Sequence, residues 1–377
     1  MKKENIKHKK QRPNTNDYQN ILLSGSPLID LRSPSEFQKG AIPGSTNLPL
    51  MSDEERRLVG LCYKQKGQQQ AIELGHQLVQ GETQQQRVSA WKQFAQAHDQ
   101  DAYFYCFRGG LRSRISQQWL AEQGNHLPII EGGYKALRRF LIDQSQAIVA
   151  KLPIYILGGY TGTAKTRLLQ NFDSAIDLEK LANHRGSSFG KMISPQPTQI
   201  DFENQLALKL MQHQAADYPF LLLEDEGRLI GSRALPLDLK QKMEQAEVIM
   251  IEESLDFRIN QIYKDYVVEL NLLFNQSYKQ DPITHYETFL VEATNKIKKR
   301  LGGEDHKKML YLIDAGIRSQ RQANDLTKHK DWIVYLLKKY YDPMYQFQLK
   351  KKQEKIIFKG DYGQVQQYLC QLKSFEV

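Results

Sequence analysis

The stretch from Tyr103 to Arg114, YFYCFRGGLRSR, decides the fold of the first part of the chain. The apolar run AYFYCF predicts a strand, and SRISQQWLAEQ predicts a helix with Ser113 as its N-cap and Gly124 at the C′ position. The loop between them holds one cysteine, two glycines and several arginines. This order of strand, loop and helix places Cys106 at the end of a strand in an α/β domain.

The loop around Cys106 favours a reactive sulfur. The first amides of the following helix are unpaired and carry the positive end of its dipole. Arg108, Arg112 and Arg114 add positive charge nearby, and both effects favour the thiolate, which is the nucleophilic form of cysteine. The alternative is a buried cysteine that acts as a small apolar residue at a strand end. The arginines and glycines around it favour the nucleophile.

Composition limits the class of protein. The chain has 377 residues, enough for two or three domains, with a formal net charge of +9. This charge favours an anionic partner, which can be nucleic acid, a phosphorylated small molecule or a membrane surface. Three scattered cysteines are too few for a disulfide framework or a zinc site and predict a reducing, cytoplasmic setting. No run of about 18 apolar residues occurs, so no membrane span is predicted.

The chain divides by pattern into a tail and three blocks. Residues 1–15 read as a basic, disordered tail. Residues 16–146 predict an α/β domain, with PSEFQKGAIPGSTNLPL as a loop and AIELGHQLVQGETQQQRVSAWKQFAQAH as one long helical pattern. Residues 150–254 alternate short apolar runs with helical segments, which predicts a parallel-sheet α/β domain. Residues 255–377 are mainly helical by pattern.

A glycine-bearing turn opens the second α/β block. GGYTGTAKT approaches the phosphate-binding pattern G-x-x-x-x-G-K-[ST], with Ala164 in place of its second glycine. The strand IYIL precedes it and the helix TRLLQNF follows, so backbone amides of the turn can cradle a phosphate or diphosphate. The alternative is a tight strand–helix turn with an incidental lysine and threonine. The predicted phosphate-binding residues are Gly159, Gly162, Thr163, Lys165 and Thr166.

Further polar residues follow in this block. A second apolar strand ends in LEDE, where Glu224, Asp225 or Glu226 can hold a metal; Glu224, with Thr166, is the candidate ligand for Mg²⁺. These residues can equally be surface carboxylates that terminate the strand. The segment LANHRGSSFG is either a polar loop or a set of anion contacts, and Arg228 is either a structural ion pair or a phosphate contact. The candidate anion contacts are His184, Arg185, Ser187, Ser188 and Arg228.

The first block resembles the rhodanese family. DLRSPSEFQKGAIPGSTNLP matches the early motif of that family, YCFRGGLRS matches its active-site loop, and IIEGG matches its late strand and turn. The resemblance implies that Cys106 carries sulfur or selenium as a persulfide or selanyl group, while Arg108 and Arg112 steer the anionic donor. Cys106 to Arg112 also reads Cys-x5-Arg, the loop of cysteine phosphatases, so that alternative stays open at this point.

The whole chain resembles the bacterial tRNA 2-selenouridine synthases. The segments VGLCYKQKGQQQAIELGHQLV, LANHRGSSFG, LLLEDEGRLIGSRALP and YYDPMY carry this resemblance together with the two domains. It implies that geranyl diphosphate first S-geranylates a 2-thiouridine at the tRNA wobble position, 34. Selenium from selenophosphate then replaces the geranylthio group by way of an S-selanylcysteine at Cys106. The diphosphate is expected at the turn that contains Lys165.

Two other function classes remain at this stage. One is a rhodanese-type sulfurtransferase with a regulatory, nucleotide-binding P-loop domain, and the other is an RNA-binding protein without catalysis. Residues 332–359 interleave tyrosines and lysines, which fits an RNA surface that uses stacking and phosphate contacts. The helical spacing of WIVYLL alternatively places these aromatic side chains in a core. No stable protein partner can be inferred from the sequence.

Overall fold

The structure, a computed structural model, describes residues 12–350 and 352–375. The chain divides into two units. An N-terminal unit comprises the described residues up to 147 together with 198–212, and a C-terminal unit comprises 148–197 and the described residues from 213 onward. Residues 1–11 of the predicted disordered tail lie outside the described residues. Each unit is an α/β arrangement built on its own parallel sheet.

The sheet of the N-terminal unit places the cysteine loop. Strands β1 (Leu28–Asp30), β2 (Ser45–Asn47) and β3 (Tyr103–Tyr105) are parallel in the order β2-β1-β3. Every residue of β1 is buried, as expected for a central parallel strand that is covered on both faces. Cys106 directly follows β3, so the sheet delivers its sulfur to the carboxyl edge, as the sequence predicts.

Helices cover this sheet and form the segments between its strands. α3 and α4 form a hairpin that turns at Gly67, between β2 and β3. The first helices in chain order are α1 (Tyr18–Leu23), α2 (Pro34–Gln38), α3 (Asp53–Lys66), α4 (Gln68–Leu78), α5 (Glu82–Ala97), α6 (Leu111–Glu122) and α7 (Gly133–Lys151).

Several local predictions for this unit are wrong in detail. The loop predicted from PSEFQKGAIPGSTNLPL contains α2 and β2, because Ser33 forms a capping box and Pro34 starts a helix readily. The single long helical pattern is split into α4 and α5 near Gly81. Helix α6 begins two residues before Ser113, with Gly110 as its N-cap, and Ser113 is buried inside its first turn. Gly124 does occupy the C′ position, with φ of 74°.

The predicted tail also ends earlier than residue 15. Arg12 donates hydrogen bonds to the carbonyl groups of Gln100 and Ala102 at 2.7 and 2.8 Å. Thr15 forms a parallel bridge with Ile130, and its amide donates to the carbonyl of Ile129 at 3.0 Å. The hydrogen bonds of the Arg12 side chain and of the Thr15 backbone hold this segment against the sheet. Residues 12–15 therefore belong to the folded unit.

The C-terminal unit is built on a four-stranded parallel sheet in the order β5-β4-β8-β9. The three strands that the sequence predicts are β4 (Ile154–Gly159), β5 (Leu221–Glu224) and β8 (Glu247–Ile251). The fourth, β9 (Ile356–Gly360), comes from the region predicted as mainly helical. A short antiparallel pair, β6 (Leu229–Ile230) and β7 (Arg233–Ala234), follows β5.

Helices make up most of the remaining chain. α10 belongs mainly to the N-terminal unit, and the others belong to the C-terminal unit. They are α8 (Lys165–Leu169), α9 (Leu178–Ala182), α10 (Gln199–Ala215), α11 (Leu237–Gln245), α12 (Leu255–Tyr263), α13 (Glu269–Ser277), α14 (Pro282–Leu301), α15 (Gly303–Ala323), α16 (Lys330–Leu336), α17 (Asp342–Lys350) and α18 (Tyr362–Phe375).

The helical region has its own apolar core. Trp332 and Tyr286 are fully buried there, and Trp332 stacks on Phe189 with ring centroids 5.9 Å apart. Phe189 belongs to the predicted P-loop block, so this core joins both parts of the C-terminal unit. The predicted domain boundaries at residues 146, 150 and 254 stay predictions. Among the described helices, none is both long and apolar enough to cross a membrane.

Candidate functional site

The glycine turn of the C-terminal unit lines a cavity of about 690 Å³. Strand β4 ends at Gly159, the turn follows, and α8 begins at Lys165. Gly162 has φ of 88°, and an added Cβ there would lie 2.7 Å from the carbonyl oxygen of Arg258, so only glycine fits. The Arg258 guanidinium in turn donates to the carbonyl of Thr161 at 2.8 Å. This buried arginine, which is not part of the turn, therefore stabilises the backbone of the turn.

Within the turn, Lys165 is the positively charged residue. Its Nζ donates to the carbonyl groups of Gly159 at 2.8 Å and Tyr160 at 3.3 Å, and it lies 5.9 Å from the centre of the Tyr345 ring. Thr163 is fully buried, and its hydroxyl donates to the carbonyl of Tyr160 at 2.9 Å. The side chain of Thr163 therefore supports the turn, and its part in phosphate binding stays a prediction.

Ala164 occupies the position where the phosphate-binding pattern has glycine. Its backbone is left-handed, with φ of 61° and ψ of 29°. A methyl-bearing residue in this region costs about 1 kcal/mol relative to its ordinary conformations. The turn thus has the left-handed backbone conformation that glycine normally provides, although the residue at this position is alanine.

Three carboxylates meet beside this turn. Glu224 is the last residue of β5 and pairs in register with Leu157 of β4, which brings it next to the turn. Glu226 follows two residues later, and Glu179 comes from α9, whose N-cap is Asp177. Carboxylate oxygens of these three glutamates lie within 4.8 Å of one another. The sequence prediction considered Glu224 and Glu226 but missed Glu179.

Burial and mutual repulsion make these carboxyl groups hard to ionise. Burial, followed by the charges of Glu224 and Glu226, raises the pKa of Glu179. Burial and then the charge of Glu224 raise the pKa of Glu226, and burial also raises the pKa of Glu224 itself. Glu179 and Glu226 share a hydrogen bond, as expected when one of two adjacent carboxyl groups keeps its proton.

The same three residues are suited to a divalent cation. The Thr166 hydroxyl lies near Glu224 and opposes the rise in the pKa of Glu224 that burial causes. One oxygen of Glu224, Oε1, is buried and accepts no hydrogen bond from the described part of the chain. Magnesium prefers oxygen ligands and is commonly held by one or two carboxylates together with substrate phosphates. Thr166 and the orphaned oxygen of Glu224 therefore fit Mg²⁺, and their role as ligands stays a prediction.

Four of the five candidate anion contacts line this cavity. Arg185 is already engaged, since its Nη1 donates to the carbonyl of Asp265 at 2.7 Å. Ser187 shares a hydrogen bond of 3.1 Å with the hydroxyl of Tyr266, and Ser188 is half-buried. Burial and then the charge of Lys296 lower the pKa of His184, so its ring is neutral at pH 7. It can act as a hydrogen-bonding group but brings no charge.

The fifth candidate, Arg228, is exposed and lies outside the cavity lining that the described residues form. It follows the carboxylate cluster in sequence, but the chain turns outward there before β6. The charged residues nearer the turn form ion pairs of their own: Arg167 with Asp265 at 3.3 Å, and Lys352 with Asp225. The structure thus does not bring Arg228 to the predicted phosphate site.

Apolar and aromatic side chains also line the cavity. They are Ile262 of α12, Met344 and Tyr345 of α17, and the tyrosines 340 and 341 just before α17. Tyr340 and Tyr341 are buried. These tyrosines, considered from sequence as a stacking surface for RNA, therefore belong to the interior of the C-terminal unit. Of the lysines in the same segment, Lys338 and Lys339 are exposed, and Lys351 lies outside the described residues.

In the N-terminal unit, the cysteine loop is held by the turn that follows Ile130. The amide of Tyr134 donates to the carbonyl of Cys106 at 2.8 Å, and the amide of Lys135 donates to that of Phe107 at 3.0 Å. Gly133 lies against the loop, since an added Cβ would be 2.5 Å from the amide nitrogen of Gly109. The backbone of the motif IIEGGYK therefore fixes the conformation of the cysteine loop.

The sulfur itself is more enclosed than the sequence predicts. Cys106 is 4% exposed and belongs to an apolar cluster with Phe104 and Trp119. The next two residues of the loop, Phe107 and Arg108, are exposed. The burial of Cys106 among apolar side chains matches the alternative considered from sequence, and its role as a nucleophile stays a prediction.

The predicted arginines are only partly free to steer an anion. Arg112 donates to Glu36 at 2.6 and 3.2 Å, and Arg56 lies 3.8 Å from the same carboxylate. Burial by itself raises the pKa of Glu36, but the hydrogen bonds and charge of Arg112 outweigh burial and lower it. Arg112 is therefore largely neutralised, whereas Arg108 is exposed and remains suited to bind an anionic donor.

A cysteine loop on one parallel sheet and a phosphate-type turn on another define a two-module α/β protein equipped for anionic substrates. A family model for the rhodanese-like domain matches residues 10–139, and one described as tRNA 2-selenouridine synthase AAA domain matches residues 152–374. The chain belongs to the tRNA 2-selenouridine synthase family.

Individual relatives agree with this membership. A tRNA 2-selenouridine synthase of Shewanella frigidimarina is 48% identical over 96% of this chain and 98% of its own length. One of Pseudomonas fluorescens is 49% identical over 94% of this chain and 97% of its own. The N-terminal domain of a putative ATP/GTP binding protein from Clostridium difficile covers 30% of this chain and 88% of its own, at 30% identity and a TM-score of 0.27, which is too low to carry an argument.

Proposed function

We propose that this chain modifies tRNA in two stages. Geranyl diphosphate first S-geranylates a 2-thiouridine at the wobble position, and selenium from selenophosphate then replaces the geranylthio group to give 2-selenouridine. Membership of the tRNA 2-selenouridine synthase family supports the product. One observation supports the first stage: the lining of a single cavity includes both the Lys165 turn and apolar and aromatic side chains, and a diphosphate with a hydrocarbon tail needs both.

In the first stage, the sulfur of 2-thiouridine bonds to the first carbon of the geranyl chain. The bond from that carbon to the diphosphate oxygen breaks, the diphosphate leaves, and the base loses a proton. Lys165 moves from the carbonyl groups of Gly159 and Tyr160 onto the departing diphosphate, whose growing charge it stabilises. Thr166 and Glu224 would hold Mg²⁺, which neutralises further diphosphate charge.

In the second stage, a carbon–selenium bond forms at C2 of the base and the carbon–sulfur bond breaks. Geranylthiol leaves with a proton, and water cleaves the phosphorus–selenium bond of the donor so that phosphate is released. A neutral thiol is a better leaving group than a thiolate, which gives the geranylation its purpose. Cys106 is the proposed carrier of selenium as an S-selanylcysteine. A disulfide co-reactant takes up the two electrons released when the thiol and the selenide bond to each other, and a dithiol returns two electrons when the sulfur–selenium bond breaks after transfer to the base. Exposed Arg108 receives the anionic donor.

The test combines the full chain with tRNA that contains 2-thiouridine, geranyl diphosphate and selenophosphate, followed by mass spectrometry of the nucleosides. Lys165→Ala should abolish geranylation and so leave 2-thiouridine unchanged. Cys106→Ser should accumulate the S-geranyl nucleoside without 2-selenouridine. Cys62→Ser, a cysteine half-exposed on α3, and Lys209→Ala, an exposed lysine on α10, serve as matched controls and should behave like the wild type.

The outcomes separate this function from its competitors. ATP hydrolysis together with sulfur transfer and no geranyl product would favour a sulfurtransferase with a regulatory nucleotide site. Equal loss of both stages in both variants would indicate one shared site instead of two. Full activity of Cys106→Ser would remove the cysteine from the mechanism.

A further inference from the structure

The N-terminal unit contains a second cavity, of about 480 Å³, that the proposed mechanism does not use. It lies between the α3–α4 hairpin and helix α6. The hairpin contributes Val59, Tyr63 and Ile72, and α6 contributes Leu111, Ile115 and Trp119. Cavities of this size are typical for small-molecule ligands and are usually lined by apolar side chains.

Part of the apolar surface of the α3–α4 hairpin is not buried by the rest of the unit. Helix α3 buries none of its 14 residues, although it contains the apolar run LVGLCY. Tyr63 is 57% exposed and Leu111, across the cavity, is 47% exposed, so these two mark its open side. A ligand that enters here meets hydrocarbon and aromatic surface first.

This cavity adjoins the proposed selenium carrier. Leu50, Val79 and Trp119 line the cavity and also belong to the apolar cluster that contains Cys106. Arg108 and Arg112, from the cysteine loop and the start of α6, line the cavity as well. The cavity thus combines an apolar interior with two guanidinium groups and a neighbouring thiol.

We infer that this cavity binds the geranyl chain of the S-geranylated wobble base during the exchange for selenium. The inference rests on the two-stage function proposed above. In that exchange the substrate is an anionic RNA that carries a ten-carbon hydrocarbon, and the departing group is a hydrocarbon thiol. Apolar walls match the chain, and exposed Arg108 matches the phosphates next to the wobble base. Seating the chain here places the carbon–sulfur bond beside the loop that carries Cys106.

The competing occupant is geranyl diphosphate itself, with its diphosphate on the two arginines. The Lys165 cavity suits that molecule better, because it offers a lysine-bearing turn and a candidate Mg²⁺ site. Arg112 is already paired with Glu36. The N-terminal cavity therefore fits the product of the first stage rather than its donor substrate.

Substrate chain length gives a test on the unmodified protein. Anticodon stem–loops that carry S-methyl-, S-dimethylallyl- or S-geranyl-2-thiouridine are offered with selenophosphate, and kcat/KM for 2-selenouridine formation is measured. We expect kcat/KM to rise with chain length, by roughly 100-fold from methyl to geranyl, since each buried segment adds binding energy that is used in the transition state. Equal values across the series would overturn the inference.

A filled cavity gives the second test. Val59→Trp places a large ring inside the cavity, and Leu61→Trp places the same ring two residues away on α3, outside the cavity lining that the described residues form. With the S-geranyl stem–loop, Val59→Trp should lower selenation about 100-fold, and Leu61→Trp should stay within about threefold of the wild type. Thermal unfolding of both variants checks that each one folds.

Geranylation of a 2-thiouridine stem–loop by geranyl diphosphate separates the remaining outcomes. If Val59→Trp keeps this first stage and loses the second, the inference stands. If it loses both while remaining folded, the cavity takes geranyl diphosphate and the inference is wrong. If it keeps both, the cavity has no part in either stage. Failure of the wild type to form any S-geranyl product would instead refute the proposed function.

Discussion

Gly133 offers the sharpest test of how the cysteine loop is held. Its backbone has φ of 57°, and an added Cβ would lie 2.5 Å from the amide nitrogen of Gly109 and closer still to the carbonyl oxygen of Cys106. Gly124 is a matched control in the same unit, because its φ is 74° but an added Cβ there would meet nothing within 4 Å. Replacing each with alanine therefore separates backbone strain from contact with the loop.

The expected magnitudes follow from these two environments. Gly124→Ala adds only the cost of a left-handed alanine, about 1 kcal/mol. Gly133→Ala adds that cost and an overlap with backbone that cannot rotate away, about 1–3 kcal/mol more. Hydrogen exchange of the β3 and α7 amides, measured on the full chain, reports the free energy of local opening. Gly133→Ala should thus lose roughly 2–4 kcal/mol of protection.

The two variants should also differ in chemistry. A displaced cysteine loop should abolish 2-selenouridine formation in Gly133→Ala and leave S-geranylation unchanged, whereas Gly124→Ala should perform both stages. Equal losses of protection in the two variants would refute the reasoning, because the contact with Cys106 and Gly109 would then contribute nothing. Full selenation by a destabilised Gly133→Ala would refute the role of loop shape.

Three other predictions concern charge and backbone strain. Ala164→Gly should raise the free energy of unfolding of the C-terminal unit by about 1 kcal/mol, seen as a higher melting temperature, because glycine adopts this conformation without strain. Arg112→Met should destabilise the N-terminal unit at pH 7 and progressively less as the pH is lowered. Because the pKa of Glu36 is lowered, the pair contributes its full stability above the ordinary carboxyl pKa and loses it as pH falls through the lowered pKa of the folded state. Glu179→Gln, in buffer with a chelator, should change the free energy of unfolding little at pH 4 and raise it progressively at higher pH. The pKa of Glu179 is raised in the folded protein, so the wild type loses stability as pH rises past the ordinary carboxyl value of 4.5, and glutamine removes this loss. A pH-independent effect of either substitution would contradict the corresponding assignment.

The sequence predicts β3, β4, β5 and β8, since these strands are short apolar runs with clear turn signals. It does not predict β2, which lies in a turn-rich stretch, or β9, which follows a mainly helical pattern. Cys106 and Lys165 both follow such strands, so their positions at carboxyl edges could be derived without coordinates. The start of α6 was predicted less accurately. Serine is a common N-cap residue, which favoured Ser113, yet Gly110 is the N-cap because the two glycines let the chain turn earlier. A propensity for capping cannot decide between two nearby candidates when the loop geometry is unknown.

The candidate site was predicted only where its residues lie close together in the sequence. Glu179 precedes Glu224 by 45 positions, and nothing local in LEKLA distinguishes it from an exposed helical glutamate. Only packing shows that Gly186, in the predicted anion-binding segment, allows Glu179 and Glu226 to approach each other. The enclosure of Cys106 was also hidden, because burial depends on Trp119 and other distant side chains rather than on the loop motif.

The late position of β9 in the chain has a consequence for synthesis on the ribosome. Residues 356–360 complete the P-loop sheet beside β8, and Val365 and Leu369 fill the apolar layer beneath it. Until residues 356–360 have left the exit tunnel, β8 presents an open edge to any neighbouring nascent chain. The sheet that carries the phosphate-type turn is therefore complete only once these residues have been made, and products that stop short of residue 350 are candidates for chaperone capture and degradation.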